Sequence, residues 1–244
     1  MITVDEHENI VVISIEHGKV NALDLELLAE LSAVFRSLST RADGAVIVTG
    51  VGSSFSAGVD LRRIQDGGRE YILTFLPALS AAILDIFQCP LPVVAAINGH
   101  AIAGGCLLAA AADVRFMGRG RIGLPELAVG VPLPVAGIEV LRTAIGHHAY
   151  TMITNASTVA VDEADGYGLV TAVEPKELES RAMSEARRLA DIPPHAFTTT
   201  KAQLHAPTMV AIEANAELDR AVTAGWVTSW NSGHISDYLA SLSH

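Results

Sequence analysis

The sequence predicts an α/β fold followed by a purely helical C-terminal region. Short apolar runs, often β-branched, alternate with helical patterns as far as the pair Pro193–Pro194, and only helical patterns follow it. Hydrophobic residues make up 50% of the 244 residues, which is enough to bury a substantial core. We therefore expect an α/β core over residues 1–194 and a helical region over residues 195–244.

Strands are predicted where short apolar runs are bounded by turn residues. The first run, residues 10–15, reads Ile-Val-Val-Ile-Ser-Ile, and β-branched side chains of this kind favour extended backbone. A loop rich in glycine and serine is expected over residues 50–58. The further predicted strands cover residues 45–49, 93–97, 114–117 and 169–173.

Helices are predicted where apolar residues recur every three or four positions. Leu27, Leu31 and Leu38 share one helical face, so a helix is expected over residues 23–38. Residues 104–112 begin with two glycines and are rich in alanine, which favours a closely packed helix. The further predicted helices cover residues 70–87, 198–205, 209–223 and 236–242.

The charge balance restricts the classes of partner. Lys and Arg number 16 against 27 Asp and Glu, a net charge of −11, and an acidic surface repels nucleic-acid phosphates and anionic lipid. Residues 90–112 lack charged side chains, but Pro90, Pro92 and an Asn98–Gly99 turn divide them into two buried elements. We predict no nucleic-acid partner and no membrane partner.

The cysteines and the N-terminus indicate a cellular compartment. Cys89 and Cys106 are too few for a disulfide scaffold and lack the spacing of zinc ligands. The first residues have neither the basic nor the apolar region of a signal peptide. We expect a cytoplasmic protein with no metal site.

Three segments combine residues that can perform chemistry. Residues 54–61 form a loop of small residues after a strand, and residues 97–109 read as a strand, a turn and a helix that begins with glycine. Gly104 opens that helix, so its N–H lacks an intrahelical partner and lies at the positive end of the helix dipole. Residues 122–131 place one acid, Glu126, among apolar neighbours.

In combination these segments resemble the crotonase superfamily, also called the enoyl-CoA hydratase/isomerase superfamily. The resemblance runs from about residue 10 to residue 173, and the motifs occur in the family's order. The matching motifs are Val-Asn-Ala-Leu at 20–23, Phe-Ser-Ala-Gly-Val-Asp at 55–60, Pro-Val-Val-Ala-Ala-Ile-Asn-Gly at 92–99, Ala-Gly-Gly-Cys at 103–106, Asp113, Pro125–Glu126 and Gly130.

The resemblance implies a fold and a ligand. The fold is a crotonase-like spiral of ββα units with a C-terminal helical trimerisation region, assembled as a homotrimer or hexamer. The ligand is an acyl-CoA thioester; coenzyme A enters as part of the substrate, and no separate cofactor is expected. By position, the backbone N–H groups of Val59 and Gly104 form an oxyanion hole for the thioester oxygen. Contacts with the substrate are implied for Val20, Ala22, Ala57, Gly58, Asp60, Leu61, Gly105, Leu107 and Pro125.

Other residues receive more general roles. Asp60 is expected to order its own loop by accepting backbone hydrogen bonds, and residues 66–77 are expected to cover the acyl tail. Four basic residues are expected either to supply positive charge for the CoA phosphates or to belong to the ordinary solvated surface. They are Lys19, Arg62, Arg63 and Lys201.

The acids at the family's catalytic positions determine the predicted reaction. Hydratases that resemble this chain use two glutamates, but Leu107 stands at the first position and only Glu126 stands at the second. One carboxyl is sufficient to move a 3-enoyl double bond to the 2-position, because the group that takes the proton from C2 returns it at C4. Apolar Leu124, Leu127 and Leu107 are expected to raise the pKa of Glu126.

The resemblance therefore predicts a Δ3,Δ2-enoyl-CoA isomerase. Dienoyl-CoA isomerases carry a further aspartate eight residues after the glutamate, and Pro134 stands there in this chain. Two alternatives stay open: an enoyl-CoA hydratase that works with a single glutamate, and an acyl-CoA-binding homologue without catalysis.

Overall fold

The structure is a computed structural model, and it describes residues 1–241. The strands of these residues are β1 (Ile2–His7), β2 (Ile10–Ile15), β3 (Ala45–Gly50), β4 (Ser54–Ser56), β5 (Val93–Ile97), β6 (His100–Ile102), β7 (Val114–Met117), β8 (Arg121–Gly123), β9 (Thr158–Ala160) and β10 (Thr171–Ala172). The helices are α1 (Leu25–Ser37), α2 (Leu61–Phe87), α3 (Gly104–Ala110), α4 (Glu126–Val129), α5 (Val135–Ile145), α6 (His148–Thr154), α7 (Val161–Gly166), α8 (Leu178–Ala190), α9 (Pro194–Ala214), α10 (Leu218–Asn231) and α11 (His234–Ser241).

The strands form two sheets that are linked by a repeated unit. The larger sheet has the order β1-β2-β3-β5-β7-β10, and the smaller has the order β4-β6-β8-β9. In the units β3-β4-α2, β5-β6-α3 and β7-β8-α4, the first strand joins the larger sheet and the second joins the smaller one. Strands that follow one another in each sheet through these units pair in parallel. The predicted spiral of ββα units is therefore confirmed, whereas the trimer stays a prediction.

The central strands are buried on both faces. Val46 and Val48 of β3 point into the core that contains α1 and α2, and Ala45 and Ile47 point to the opposite face, because successive side chains alternate along a strand. That opposite face is covered by Leu178 and other apolar residues of α8. Burial on both sides explains why these strands read as continuous apolar runs.

The sequence located the long buried strands and missed β1, a mostly exposed strand of six residues, together with the short strands of the smaller sheet. Strands near residues 10–15, 45–49, 93–97 and 114–117 are confirmed, and β10 covers only Thr171–Ala172 of the strand expected over 169–173. The unpredicted strands of the smaller sheet have three residues each, which is too short for a recognisable alternation. Of these, β4 lies in the expected loop over residues 50–58 and β6 in the expected turn before Gly104, whereas no element was predicted for β8 and β9.

Several helices differ from the prediction. Helix α2 begins at Leu61 rather than near residue 70, because Asp60 caps it by accepting hydrogen bonds from the N–H groups of Arg62 and Arg63. Helix α9 continues through the exposed Pro207, so the predicted break between residues 205 and 209 is wrong. The predicted helix over residues 209–223 is wrong as one element, because α9 ends at Ala214 and α10 begins at Leu218. Helices α4 to α8 were not predicted. The predicted last helix extends to residue 242, which lies outside the described residues.

One helix within residues 1–241, α2, is long and apolar enough to cross a membrane by length and composition alone. It also forms the centre of the core: Ile72, Phe75 and Ile83 are fully buried against neighbouring elements. The uncharged residues 90–112 are divided, as predicted, but into three elements, β5, β6 and α3, instead of two.

Candidate active site

A cavity of about 590 Å³ lies where the repeated units meet the C-terminal helices. Its wall includes the loop before α1, the turns that lead from β4 into α2 and from β6 into α3, and the start of α4. Helices α10 and α11 complete it. The lining residues are Lys19, Val20, Ala22, Ala57, Val59, Asp60, Leu61, Arg62, Ile102, Ala103, Pro125, Glu126, Val129, Val131, Trp226, Tyr238 and Leu239.

Glu126 is the buried carboxyl of this cavity. It is the first residue of α4, its side chain is 5% exposed, and its Oε2 atom has no hydrogen-bond partner among the described residues. Burial raises the pKa of Glu126 to about 8, because the charged form loses its hydration; a hydrogen bond from its own backbone acts in the opposite direction. A carboxyl with this pKa exchanges protons readily near neutral pH.

The expected apolar surroundings of Glu126 are only partly correct. Leu124 and Leu107 are fully buried, but Leu127 is 45% exposed and faces away from the interior. The negative charge of Glu126 also raises the pKa values of the Cys106 thiol and of Tyr238, in both cases together with burial as the larger cause. Both groups therefore lie close enough to the carboxyl to be affected by its charge.

The N–H of Val59 is oriented by hydrogen bonds of its neighbours. Leu23 N donates to the carbonyl of Gly58 at 2.7 Å, and Asp60 N donates to the carbonyl of Leu23 at 2.9 Å. No peptide bond in the described chain is cis, and a trans peptide directs its N–H opposite to its carbonyl. The N–H of Val59 therefore points away from Leu23, and no described residue accepts a hydrogen bond from it.

The N–H of Gly104 is likewise unpaired within the described chain. The preceding carbonyl of Ala103 accepts from Leu107 N at 3.2 Å and points along α3, so the N–H of Gly104 points out of the start of this helix. Ala103 has φ +53° and ψ −125°, a strained conformation for a residue with a Cβ atom, and such strain is concentrated at functional sites.

Asn21 and Ser56 hold the first part of the wall in place, and the sequence analysis missed both. Asn21 is 1% exposed, and its side-chain amide donates to the carbonyls of Val51, Ser54 and Phe55 at 2.9–3.3 Å. Ser56 Oγ donates to the carbonyl of Asn21 at 2.7 Å and accepts from Gly58 N at 3.2 Å. The Asn-Ala-Leu motif was the available signal for Asn21.

Eight of the twelve predicted site residues line the cavity, and four do not. The eight are Val20, Ala22, Ala57, Val59, Asp60, Leu61, Pro125 and Glu126. The other four are Gly58, Gly104, Gly105 and Leu107.

Close packing surrounds three of these four residues, Gly58, Gly105 and Leu107, whereas Gly104 follows the lining residue Ala103 and keeps an unpaired N–H. A Cβ atom on Gly105 would lie 2.4 Å from the carbonyl oxygen of Ser56, and one on Gly58 would lie 2.5 Å from that of Ile102. Leu107 is fully buried and packs on Gly137 of α5 instead of lining the cavity, so its contact with substrate stays a prediction.

The four candidate cations separate into two groups. Lys19 and Arg62 line the cavity. Arg63 instead approaches Glu26 at 3.4 Å. Lys201 is buried and donates to Asp113 at 2.7 Å, so it joins α9 to the core and is not available to a ligand.

The far wall of the cavity differs from expectation. Residues 66–77, expected to cover an acyl tail, do not line it; Trp226 of α10 and Tyr238 and Leu239 of α11 do. No local motif marked these residues, because helices distant in sequence reach the site only through tertiary packing. Within residues 1–241 no three His, Cys, Asp or Glu side chains are grouped so as to hold a metal ion.

Comparisons with known proteins place this geometry in a family context. The sequence profile of the enoyl-CoA hydratase/isomerase family matches residues 5–230. Human mitochondrial enoyl-CoA delta isomerase 1 is 30% identical over 222 residues, which cover 88% of this chain and 74% of the relative. The 2,3-dehydroadipyl-CoA hydratase of Escherichia coli K12 is 30% identical over 203 residues, covering 82% and 78%.

Solved structures show the same similarity. The crystal structure of human mitochondrial delta3-delta2-enoyl-CoA isomerase superposes with a TM-score of 0.90 at 27% identity, covering 99% of this chain and 98% of that one. Sequence identity to an isomerase and to a hydratase is equal, so the reaction must be argued from the residues of the site.

Proposed function

Because the chain belongs to the enoyl-CoA hydratase/isomerase family, whose members act on acyl-CoA substrates, we propose that it is a Δ3,Δ2-enoyl-CoA isomerase in which Glu126 is the only proton shuttle. The observation that carries this proposal is the lone buried carboxyl of the cavity, with an unpaired oxygen and a pKa of about 8. Leu107 stands where related hydratases have a second glutamate, and the other acid of the lining, Asp60, already accepts hydrogen bonds from the N–H groups of Arg62 and Arg63.

The proposed reaction is a proton transfer in two steps. The ionised Glu126 takes a proton from C2, and the electron pair of that C–H bond moves into a dienolate whose negative charge rests on the thioester oxygen. The N–H groups of Val59 and Gly104 stabilise this oxygen; one such donor contributes about 10²–10³-fold in rate. Glu126 then returns the proton to C4, and the double bond lies between C2 and C3.

The proposal explains why the carboxyl is buried. In the apolar cavity, the protonated and ionised forms of Glu126 differ little in free energy near pH 8, so that neither direction of proton transfer is strongly opposed. Val129 and Val131 also line the cavity, so part of the wall that Glu126 shares is apolar and offers no group that could activate water.

A hydratase with a single glutamate is the second candidate, favoured by the similarity to the E. coli hydratase. Two substrates separate the candidates: 3-hexenoyl-CoA for the isomerase and crotonyl-CoA for the hydratase. We expect turnover of 3-hexenoyl-CoA and almost none of crotonyl-CoA. Glu126→Gln should reduce the isomerase rate by at least about 10²-fold, since it removes the general acid/base.

Glu139→Gln is the matched control. Glu139 lies on α5, does not line the cavity and pairs with Arg142 at 2.8 Å, so the same chemical change there should leave the rate unchanged. Rapid hydration of crotonyl-CoA by the wild type would contradict the isomerase proposal. If neither substrate reacts and CoA esters raise the Tm of wild type and Glu126→Gln equally, the chain is an acyl-CoA-binding homologue.

We propose that the protein forms a homotrimer or hexamer in the cytoplasm. Three large apolar side chains on the C-terminal helices are exposed, Leu204 at 68%, Val210 at 65% and Leu218 at 55%, and contact with further copies would cover them. Light scattering after size-exclusion chromatography tests the assembly, and a monomer would contradict it.

The proposed location in the cytoplasm is supported by the cysteines. Both are buried free thiols, as in a reducing compartment.

A further inference from the structure

Helix α2 is broken directly behind the cavity wall. Gly68 has φ +58° and ψ −148°, a conformation that residues with a Cβ atom rarely adopt, and it divides α2 into residues 61–67 and 69–87. The short first part begins at Asp60 and carries Leu61 and Arg62 of the cavity wall. Its position relative to the longer part is therefore not fixed by a continuous helical hydrogen-bond pattern.

Trp230 of α10 covers this break. A Cβ atom on Gly68 would lie 2.7 Å from Cζ2 of Trp230, so the indole packs directly on the glycine. The indole Nε1–H donates to the carbonyl of Gln65 at 3.1 Å. Gln65 lies in the last turn before the break, where helix carbonyls lack their usual partners, so Trp230 supplies a hydrogen bond that the interrupted helix cannot.

Helix α10, which carries Trp230, is also attached to the side of the cavity that carries Glu126. Trp226, one turn before Trp230, lines the cavity and donates from Nε1 to the carbonyl of Pro132 at 2.8 Å. Ser229 Oγ donates to the carbonyl of Gly130, the residue that ends α4. Helix α10 thus connects the helix that carries Glu126 with the first part of α2.

We propose that Trp230 is a positioning residue that holds residues 61–67, and with them the Val59–Arg62 wall, in the orientation that binds the acyl-CoA thioester. The role in thioester binding rests on the proposed function. Trp230 itself does not line the cavity and acts only through Gly68 and Gln65.

The first test removes the hydrogen bond and keeps an aromatic ring over the glycine. In Trp230→Phe we expect the dissociation constant of hexanoyl-CoA, measured by calorimetry, to rise about two- to tenfold, the usual net effect of one hydrogen bond. Hydrogen exchange of the amides of residues 61–67 should accelerate by a similar factor without ligand, while that of α1 should not change.

The second test perturbs the break itself. Gly68→Ala introduces both a strained φ and a clash with Trp230, and we expect it to weaken hexanoyl-CoA binding about tenfold. Gly146→Ala is the matched control, because Gly146 has nearly the same φ, +57°, with open space around it and no place in the cavity. It should bind hexanoyl-CoA within about twofold of wild type.

Two results would overturn this proposal. The first is a Trp230→Phe variant with unchanged exchange over residues 61–67. The second is one with wild-type affinity and only a lowered Tm, since Trp230 would then merely stabilise the fold. The saturated ester has no double bond to move, so its binding is independent of the isomerase reaction. Failure to convert 3-hexenoyl-CoA would refute the proposed function. Hydrogen exchange of residues 61–67 and affinity for hexanoyl-CoA would still decide whether Trp230 is a positioning residue.

Discussion

Replacing Glu126 with glutamine should change the pH dependence of stability in a defined window. Burial raises the pKa of Glu126 from 4.5 to about 8, so between these values the folded protein holds a proton that the unfolded chain has lost. The free energy of unfolding of the wild type should therefore fall by about 1.4 kcal/mol per pH unit across this window because of this one group. Over the whole window the loss approaches about 5 kcal/mol.

Glutamine is close in size and stays neutral, so the Glu126→Gln variant lacks this contribution. The difference in the free energy of unfolding, variant minus wild type, should increase from about pH 4.5 to pH 8 and be constant outside that range. Urea unfolding at several pH values from 4 to 9 measures it, with Glu139→Gln as control, which should follow the wild type. A difference that does not change with pH would show that Glu126 ionises normally, and the reasoning about its burial would be refuted.

Further predictions concern the rate, the missing glutamate and the buried ion pair. The kcat/KM for 3-hexenoyl-CoA should rise about tenfold per pH unit below pH 8 and then level off, because only ionised Glu126 accepts a proton; a profile that is flat from pH 6 to 9 would disagree. Leu107→Glu should not create crotonyl-CoA hydration and should lower the Tm, since the new carboxyl is buried against Gly137; rapid hydration would contradict this. Lys201→Met should cost about 1.5–3 kcal/mol in urea unfolding by removing a charged hydrogen bond to the half-buried Asp113, and an unchanged free energy of unfolding would show that the pair is dispensable.

The sequence predicts the parts of this fold that have a strong local signal. Strands such as β3, with five buried residues out of six, cannot be mistaken for exposed loops, and α1 shows its apolar stripe clearly. The three-residue strand β4 has no such signal, because its pairing with β6 depends on the geometry of the preceding unit. The start of α2 was missed because Gly67 and Gly68 interrupt the helical pattern before residue 70, although Asp60 was expected to accept backbone hydrogen bonds and does so.

The sequence likewise predicted only those parts of the candidate site that have a local signal. Glu126 and the backbone around Val59 belong to short motifs with a characteristic sequence, so the resemblance to the crotonase superfamily identified them. Trp226 and Tyr238 come from helices more than 90 residues later, and their place in the cavity follows from long-range packing that no local pattern encodes. Leu127 shows the converse, because an apolar residue next to the acid in sequence turned out to be exposed.

The claim that Glu126 moves a double bond is tested most directly by analysing the product of 3-hexenoyl-CoA by NMR in D₂O. Transfer through Glu126 predicts 2-hexenoyl-CoA as the product, with deuterium entering at C4 to the extent that the carboxyl exchanges with solvent, and no conversion by Glu126→Gln. Accumulation of 3-hydroxyhexanoyl-CoA as the main product, or an undiminished rate in Glu126→Gln, would contradict the account.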